Sequence, residues 1–141
     1  MKLEIFWEKN MLIDANIFLE VLLDQEKASS CKKILEDIRK GKTKAIITNF
    51  TIDSIIIIMN RNKTDLSSIE LFIKSLLSYQ GLTIYQINFK DRLNALKLIE
   101  KYNLDYEDAI TLQSAISTNN KELLSFDAHF DKVEEIRRIE P

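Results

Sequence analysis

Short, mostly apolar runs alternate along this chain with longer segments that have helical periodicity. The runs are MLID at 11–14, KAIIT at 44–48, TIYQI at 83–87 and LLSF at 123–126, and EIRRIE at 135–140 could add an edge strand. Such runs are typical of strands buried on both faces of a parallel sheet. Because strands that alternate with helices build such sheets, the sequence predicts an α/β fold with a doubly wound parallel sheet of four to five strands and helices on both faces.

The segments around these runs predict six helices, over residues 16–24, 25–40, 49–62, 65–79, 90–102 and 105–117. Apolar residues recur there at spacings of three and four, and Gly41 and Gly81 act as stop signals. The segment at 49–62 is ambiguous because its four consecutive isoleucines also suit a strand. The alternating order favours a helix, apolar on nearly all sides and therefore either buried or exposed at a partner interface.

The length of 141 residues predicts one domain over residues 1–141, built around a single hydrophobic core. The net charge of −2 gives no long-range attraction for nucleic acid, so local basic residues and bound cations would have to supply the affinity for an RNA. Cys31 is the one cysteine, which excludes an internal disulfide and a Cys/His metal cluster. We expect its thiol to be buried.

Nothing in the sequence indicates export or a membrane. The segment 1–10 carries Glu4, Glu8 and Lys9 and does not resemble a signal peptide. The longest unbroken apolar run, at 55–59, is far shorter than the roughly 20 residues that a membrane span requires. We therefore expect a cytoplasmic protein.

Four aspartates occupy positions where the predicted strands and helices meet. Asp14 closes the first strand, Asp53 lies in the first turns of the helix after the second strand, and Asp127 closes the strand at 123–126. Asp108 lies one turn inside the helix at 105–117. Because ligands of open α/β sheets bind outside the carboxyl ends of the strands, we expect these carboxylates to converge at one edge.

Converging carboxylates repel one another, so the cluster would destabilise the fold unless a divalent cation or protonation relieved the repulsion. Mg²⁺ and Mn²⁺ prefer hard oxygen ligands and keep some of their waters. Such ions polarise a phosphate, generate hydroxide and stabilise the leaving oxygen. The pattern therefore predicts metal-dependent phosphodiester hydrolysis.

The segments LIDANIFLE, TNFTID, YEDAITLQSA and LLSFDAHFDKV resemble the acidic motifs of PIN-domain ribonucleases, in their usual order, over residues 11 to about 140. They resemble most the toxin subunits of VapBC-type toxin-antitoxin pairs. The resemblance implies a three-layer α/β/α fold with a five-stranded parallel sheet and a Mg²⁺- or Mn²⁺-dependent endoribonuclease activity on RNA. It also implies inhibition by a small antitoxin protein and, often, a homodimer.

The resemblance assigns site residues position by position. The first, third and fourth acidic positions, which hold the metal, match Asp14, Asp108 and Asp127. Asn16 and Ser125 match polar positions that support the metal or its waters. The second acidic position is usually Glu, and its match here is Asp53, which is one methylene shorter and leaves both a direct and a water-mediated metal contact open.

Other residues near these motifs have simpler explanations. Asp105 and Glu107 are better explained as a helix cap and a surface charge than as ligands, and Asp14 could itself cap the helix that follows it. His129 is the only histidine, and one histidine makes no motif, so we expect it at the surface or at the edge of the substrate site.

Aromatic and basic residues could contact RNA, but their spacing favours other roles. Most of the phenylalanines that could stack on bases occupy apolar-periodic positions of a core: Phe18, Phe50, Phe72, Phe126 and Phe130. The basic residues are expected on solvated faces unless they lie near the acidic edge: Arg61, Lys63, Lys90, Arg92, Arg137 and Arg138.

Two other functions compete with the nuclease. A phosphotransferase of the haloacid-dehalogenase type would need a second carboxyl group where this chain has Asn16, and an amide cannot exchange the catalytic proton. A catalytically degenerate module of the PIN fold would bind RNA or a protein without cutting. The intact set of aspartates argues against this second alternative.

Overall fold

The computed structural model describes residues 10–141, and the expectation about a signal peptide in 1–10 falls almost wholly outside them. Five parallel strands form one sheet in the order β3-β2-β1-β4-β5. The strands are β1 (Met11–Ile13), β2 (Ala45–Thr48), β3 (Leu82–Tyr85), β4 (Glu122–Leu124) and β5 (Arg137–Ile139). The predicted doubly wound α/β fold is confirmed, including the edge strand near the C-terminus.

Six α-helices and one 3₁₀ helix accompany the strands within residues 10–141. They are α1 (Ala15–Leu22), α2 (Ala28–Arg39), α3 (Asn49–Arg61), α4 (Leu66–Leu76), α5 (Phe89–Tyr102), α6 (Tyr106–Ser117) and the 3₁₀ helix (Ala128–Lys132). All six predicted helices are present, with ends that differ by at most three residues. The 3₁₀ helix is a short element that has no apolar periodicity in the sequence. In the described part of the chain, no helix is both long enough and apolar enough to cross a membrane.

Side chains alternate between the two faces of the sheet and divide the core into two clusters. In β1, Met11 and Ile13 join the cluster that packs against α1 to α4, whereas Leu12 joins the cluster against α5 and α6. The same alternation places Leu124 on the first face and Leu123 on the second. Both faces are therefore covered, which gives the three layers of an α/β/α fold.

The isoleucine-rich segment is helix α3, and most of it belongs to the core. Thr48 caps the helix by accepting a hydrogen bond from the amide of Thr51 at 2.9 Å. Ile55 and Met59 are fully buried, one turn apart, while Ile57 on the other face is 49% exposed. Of the two alternatives for this segment, a buried core helix therefore fits better than a helix exposed at a partner interface.

Two predicted strands end earlier than the sequence suggests. The amide of Ile87 bonds to the side chain of Asn49 at 3.0 Å rather than to a strand partner, so β3 ends at Tyr85. After Leu124 the hydroxyl of Ser125 accepts a bond from the backbone two residues on, which turns the chain out of the sheet.

The predicted core residues are largely where we expect them. The Cys31 thiol is buried, and among the phenylalanines three are buried: Phe18, Phe72 and Phe130. Phe50 and Phe126 are half-buried and pack at the margins of the two clusters.

A buried carboxylate joins β3, α5 and α6. Asp91 accepts hydrogen bonds from the Tyr85 hydroxyl at 2.7 Å, the Ser117 hydroxyl at 2.6 Å and the Asn88 amide at 3.1 Å. Burial raises the pKa of Asp91, but these hydrogen bonds outweigh burial and hold the pKa below its ordinary value. Asp91 is therefore a structural residue that holds the edge of the sheet to two helices.

We predict that Asp91→Asn lowers the free energy of unfolding by about 2–3 kcal/mol at pH 7, because a buried charged acceptor is lost. Since the pKa of Asp91 is lowered in the folded state, its contribution is complete above pH 4 and disappears as the pH falls further. The variant should therefore lose less stability than the wild type below pH 4. Urea unfolding between pH 2.5 and 7 measures both effects, with exposed Glu100→Gln on α5 as the control. Equal stability of Asp91→Asn and wild type at pH 7 would contradict the prediction.

Candidate metal centre

The ends of β1 and β4 lie side by side at the centre of the sheet. Asp14 follows β1 directly, and its amide bonds to the carbonyl of Leu124 at 3.0 Å. Its side chain caps α1 by accepting from the amide of Ala15 at 2.7 Å. Parallel pairing of β1 with β4 therefore places Asp14 next to the residues that follow Leu124.

Ser125 links the two strand ends through its hydroxyl group. The hydroxyl donates to Asp14 Oδ2 at 2.6 Å and accepts from the amide of Asp127 at 3.0 Å. Asn16 adds a longer bond from Nδ2 to Asp14 Oδ2, at 3.3 Å, and its Oδ1 accepts from the amide of Phe126 at 3.4 Å. The two polar residues that the resemblance singled out thus contact Asp14 directly.

Asp108 enters the cluster from the first turn of α6. Asp105 caps this helix by accepting from the Asp108 amide at 2.8 Å, as predicted. Burial, followed by the charges of Asp127 and Asp105, raises the pKa of Asp108 to about 7. A carboxyl group with such a pKa is crowded by negative charge that a cation would relieve.

Asp127 and His129 complete the cluster on the far side. Ligand atoms of Asp108, Asp127 and His129 all lie within 4.8 Å of one another. The Nδ1 atom of His129 is 3.2 Å from Asp127 Oδ1 and 3.5 Å from Asp108 Oδ2. The imidazole is 72% exposed, so His129 lies at the surface as predicted, but at the rim of the carboxylate cluster.

Burial and mutual repulsion also affect the carboxyl groups of Asp14 and Glu107. Burial raises the pKa of Asp14 despite the bonds from Ser125 and Ala15, and the charge of Asp127 raises it further. Partial burial likewise raises the pKa of Glu107, followed by the charge of Asp14. Glu107 therefore lies close enough to the cluster to feel its charge. The sequence pattern does not distinguish this position from that of an ordinary surface charge.

Asp53 is placed differently from the other three aspartates. It lies exposed on α3, and within residues 10–141 it makes no hydrogen bond or ion pair with Asp14, Asp108 or Asp127. Besides burial, the charges of Asp127 and Asp14 raise the pKa of Asp108, which shows that these three carboxylates lie together, and Asp53 is not among the charges that act on Asp108.

The basic residues Arg137 and Arg138 differ, although the sequence assigns both to a solvated face. Arg137 is 72% exposed and pairs with Glu122. Arg138 is only 15% exposed, and its guanidinium donates to the carbonyl of Ser125 at 3.1 Å. Arg138 departs from the usual solvated arrangement, because successive residues of a strand point to opposite faces and this one contacts Asp131 of the 3₁₀ helix.

The donor set suits a hard divalent cation. Three carboxylates, two from the ends of β1 and β4 and one from α6, supply oxygen atoms, and burial together with the charges of the neighbouring carboxylates raises the pKa of Asp108. Mg²⁺ and Mn²⁺ bind such oxygen-rich clusters, and Mn²⁺ also accepts an imidazole nitrogen such as that of His129.

Comparison with solved structures shows the same fold in three proteins. A toxin-antitoxin complex from Klebsiella pneumoniae matches with a TM-score of 0.68 and 19% identity, over 90% of this chain and 95% of that chain. VapC20 from Mycobacterium tuberculosis, described as a sarcin-ricin loop cleaving toxin, matches with a TM-score of 0.72 and 10% identity, over 90% and 98%. VapBC2 from Rickettsia felis, bound to a DNA fragment from its promoter, matches with a TM-score of 0.68 and 16% identity, over 93% and 98%.

Comparison at the level of sequence identifies the family. No protein with a curated function matches the chain. The family model of the PIN domain, however, matches residues 11–136, which include every aspartate of the cluster. This chain therefore belongs to the PIN domain family.

Proposed function

We propose that this protein is a divalent-metal-dependent endoribonuclease that acts as the toxin of a toxin-antitoxin pair. The observation that carries the proposal is the convergence of Asp14, Asp108 and Asp127 from two strand ends and a helix start. Carboxylates placed at this edge of a parallel sheet are in the position where such folds bind ligands.

The residues that would hold Mg²⁺ or Mn²⁺ are Asp14, Asp108 and Asp127, supported by Asn16 and Ser125. When bound, the ion would activate water for attack on an RNA phosphodiester and stabilise the charge that develops on the phosphate. No protein nucleophile is required. Asp53 would assist from α3 through a water or through the substrate.

The contacts of Asp14 and Asp127 orient their carboxylates before any ion binds. Asp14 has both oxygens fixed, Oδ1 by the Ala15 amide and Oδ2 by the Ser125 hydroxyl. Asp127 Oδ1 accepts from the amide of His129 at 2.9 Å. Such second contacts hold ligands in one rotamer and reduce the entropy lost on binding.

The structural neighbours support the choice of RNA and of a protein partner. One is described as a sarcin-ricin loop cleaving toxin, and another is a toxin-antitoxin complex. By analogy, we propose an RNA substrate, a small inhibitory antitoxin and a homodimer. A cytoplasmic location would keep the single buried thiol of Cys31 reduced.

We predict that the purified protein cuts a mixed RNA pool in Mn²⁺ or Mg²⁺ and not in EDTA. Asp108→Asn and Asp14→Asn should each lower the rate at least about 100-fold, because a metal ligand is lost. Gel analysis of the RNA measures the rates, with exposed Glu100→Gln as the charge-matched control. Cutting that persists in Asp108→Asn would indicate a contaminating nuclease. A folded, inhibitor-free protein that cuts under no condition would favour a non-catalytic binding module.

Asp53→Asn provides a graded comparison in the same assay. Because Asp53 is exposed and is not among the charges that act on Asp108, we predict a loss of less than about tenfold. A loss as large as that of Asp108→Asn would show that Asp53 is a direct ligand in the working enzyme.

Proton uptake by the cluster predicts how stability depends on pH in the absence of metal. The pKa of Asp108 is raised in the folded state, so between about pH 4 and pH 7 the folded protein binds more protons than the unfolded chain. Stability in EDTA should therefore fall as the pH rises from 5 to 8, by roughly 1–3 kcal/mol after screening by solvent. Asp108→Asn should remove most of this dependence of stability on pH. Adding Mn²⁺ to the wild-type protein at pH 8 should recover the stability that it loses in EDTA.

Urea unfolding of both proteins at the two pH values, with and without Mn²⁺, measures this effect. Glu100→Gln should keep the wild-type slope. Stability in EDTA that rises between pH 5 and pH 8, or a slope that Asp108→Asn leaves unchanged, would contradict the assignment of Asp108 to a crowded cluster.

A further inference from the structure

All three guanidinium nitrogens of Arg138, on β5, make hydrogen bonds beside the acidic edge, the part of the sheet where Asp14, Asp108 and Asp127 meet. Its Nε and one terminal nitrogen bond to the two carboxylate oxygens of Asp131 at 2.7 and 3.2 Å. The other terminal nitrogen donates to the Ser125 carbonyl at 3.1 Å and to Glu140 at 2.6 Å. A two-pronged guanidinium of this kind, on a side chain that is 15% exposed, fixes its partners in position more firmly than a single-pronged ion pair.

Two of the partners of Arg138, Ser125 and Asp131, lie on either side of Asp127 in the chain. Ser125 is fully buried, and its hydroxyl contacts both Asp14 and the amide of Asp127. Asp131 belongs to the 3₁₀ helix Ala128–Lys132, whose start is capped by the side chain of Asp127. One guanidinium therefore ties Ser125, two residues before Asp127, to the helix that follows Asp127.

β5 holds Ser125 from a second direction as well. The amide of Ser125 donates to the carbonyl of Ile139 at 3.0 Å. The Ser125 carbonyl accepts from Arg138, and its hydroxyl contacts Asp14 and Asp127. Every polar group of Ser125 therefore has a partner either in β5 or at the acidic edge. The edge strand β5 therefore also holds Ser125 in place at the acidic edge.

We propose that Arg138 is a positioning residue of the metal centre, which clamps Ser125 and the 3₁₀ helix so that Asp14 and Asp127 face the same ion. This inference rests on the proposed function for its metal, but the clamp itself concerns the protein alone. Arg138 contacts no substrate or metal and acts through Ser125 and Asp131.

The sign of the expected effect separates positioning from simple electrostatics. Removing a positive charge near a cation site strengthens cation binding by Coulomb's law. If Arg138 acts by holding Ser125 and Asp131, its removal instead weakens binding, because the ligands lose their fixed arrangement. Arg137 on the same strand is exposed and pairs with Glu122, so it offers a substitution with the same charge change and no such contact.

The test compares Arg138→Gln with Arg137→Gln and the wild type by calorimetric titration of Mn²⁺. We expect Arg138→Gln to raise the Kd for Mn²⁺ about tenfold or more. Arg137→Gln should leave the Kd unchanged within a factor of about two or lower it slightly. A Kd for Arg138→Gln equal to or below that of the wild type would overturn the proposal.

Hydrogen exchange followed by NMR gives a readout that needs no metal. In Arg138→Gln, the amides of Asp127 and His129 should exchange faster because their acceptors are no longer held, while those of Ile46 and Ile47 in β2 keep their protection. Unchanged exchange at Asp127 and His129 would overturn the clamp. A wild type that binds no Mn²⁺ would refute the proposed metal site, and the exchange rates would still decide on the clamp.

Arg138→Lys covers the case in which Arg138→Gln does not fold. Lysine keeps the charge, but a single ammonium cannot span Asp131 and the Ser125 carbonyl as the guanidinium does. We expect weaker Mn²⁺ binding and faster Asp127 exchange in this variant too. Asp131→Asn should show the same two changes to a smaller degree. Wild-type behaviour of Arg138→Lys in both measurements would contradict the proposal.

Discussion

The parallel pairing of β1 with β4 is the constraint on which the rest of this structure depends. It sets the Asp14 amide against the Leu124 carbonyl, and so brings Asp14 within reach of Ser125 across more than one hundred residues of sequence. Burial of apolar side chains on both faces of these two strands supplies the stability that keeps them paired. Ile13 and Leu124 pack on one face, and Leu12 and Leu123 pack on the other. The apolar core thereby offsets the repulsion of the carboxylates that its strands bring together.

The carboxylates of the metal centre repel one another and are at the same time held in fixed positions by hydrogen bonds. The raised pKa of Asp108 shows that the protein keeps a carboxyl group where negative charge is unfavourable. Hydrogen bonds from Ser125, the Ala15 amide and the His129 amide hold the neighbouring carboxylates in fixed rotamers. Such a site is costly to the isolated protein and is favourable for a cation, as expected of a functional site.

Much of the fold follows from the sequence, because the signals of the strands and helices are local. The apolar runs, the caps and the spacing of three and four predict the element order, and the motif order predicts that Asp14, Asp108 and Asp127 converge. The exposure of Asp53 on α3 does not follow, since a solvated aspartate near a helix start and a ligand look alike in sequence. The roles of Arg138 and Asp91 also escape, because their partners are distant in sequence and strand alternation alone cannot tell which of Arg137 and Arg138 faces inward.

In the function that we propose, Asp14, Asp108 and Asp127 together hold one or two divalent ions. The most direct measurement is a crystal structure of the protein soaked in Mn²⁺, with anomalous diffraction recorded to locate the metal. We expect an anomalous peak between these three carboxylates, at about 2.0–2.6 Å from their oxygens. A well-ordered crystal at saturating Mn²⁺ without a peak at this position, or with the metal held only elsewhere, would contradict it.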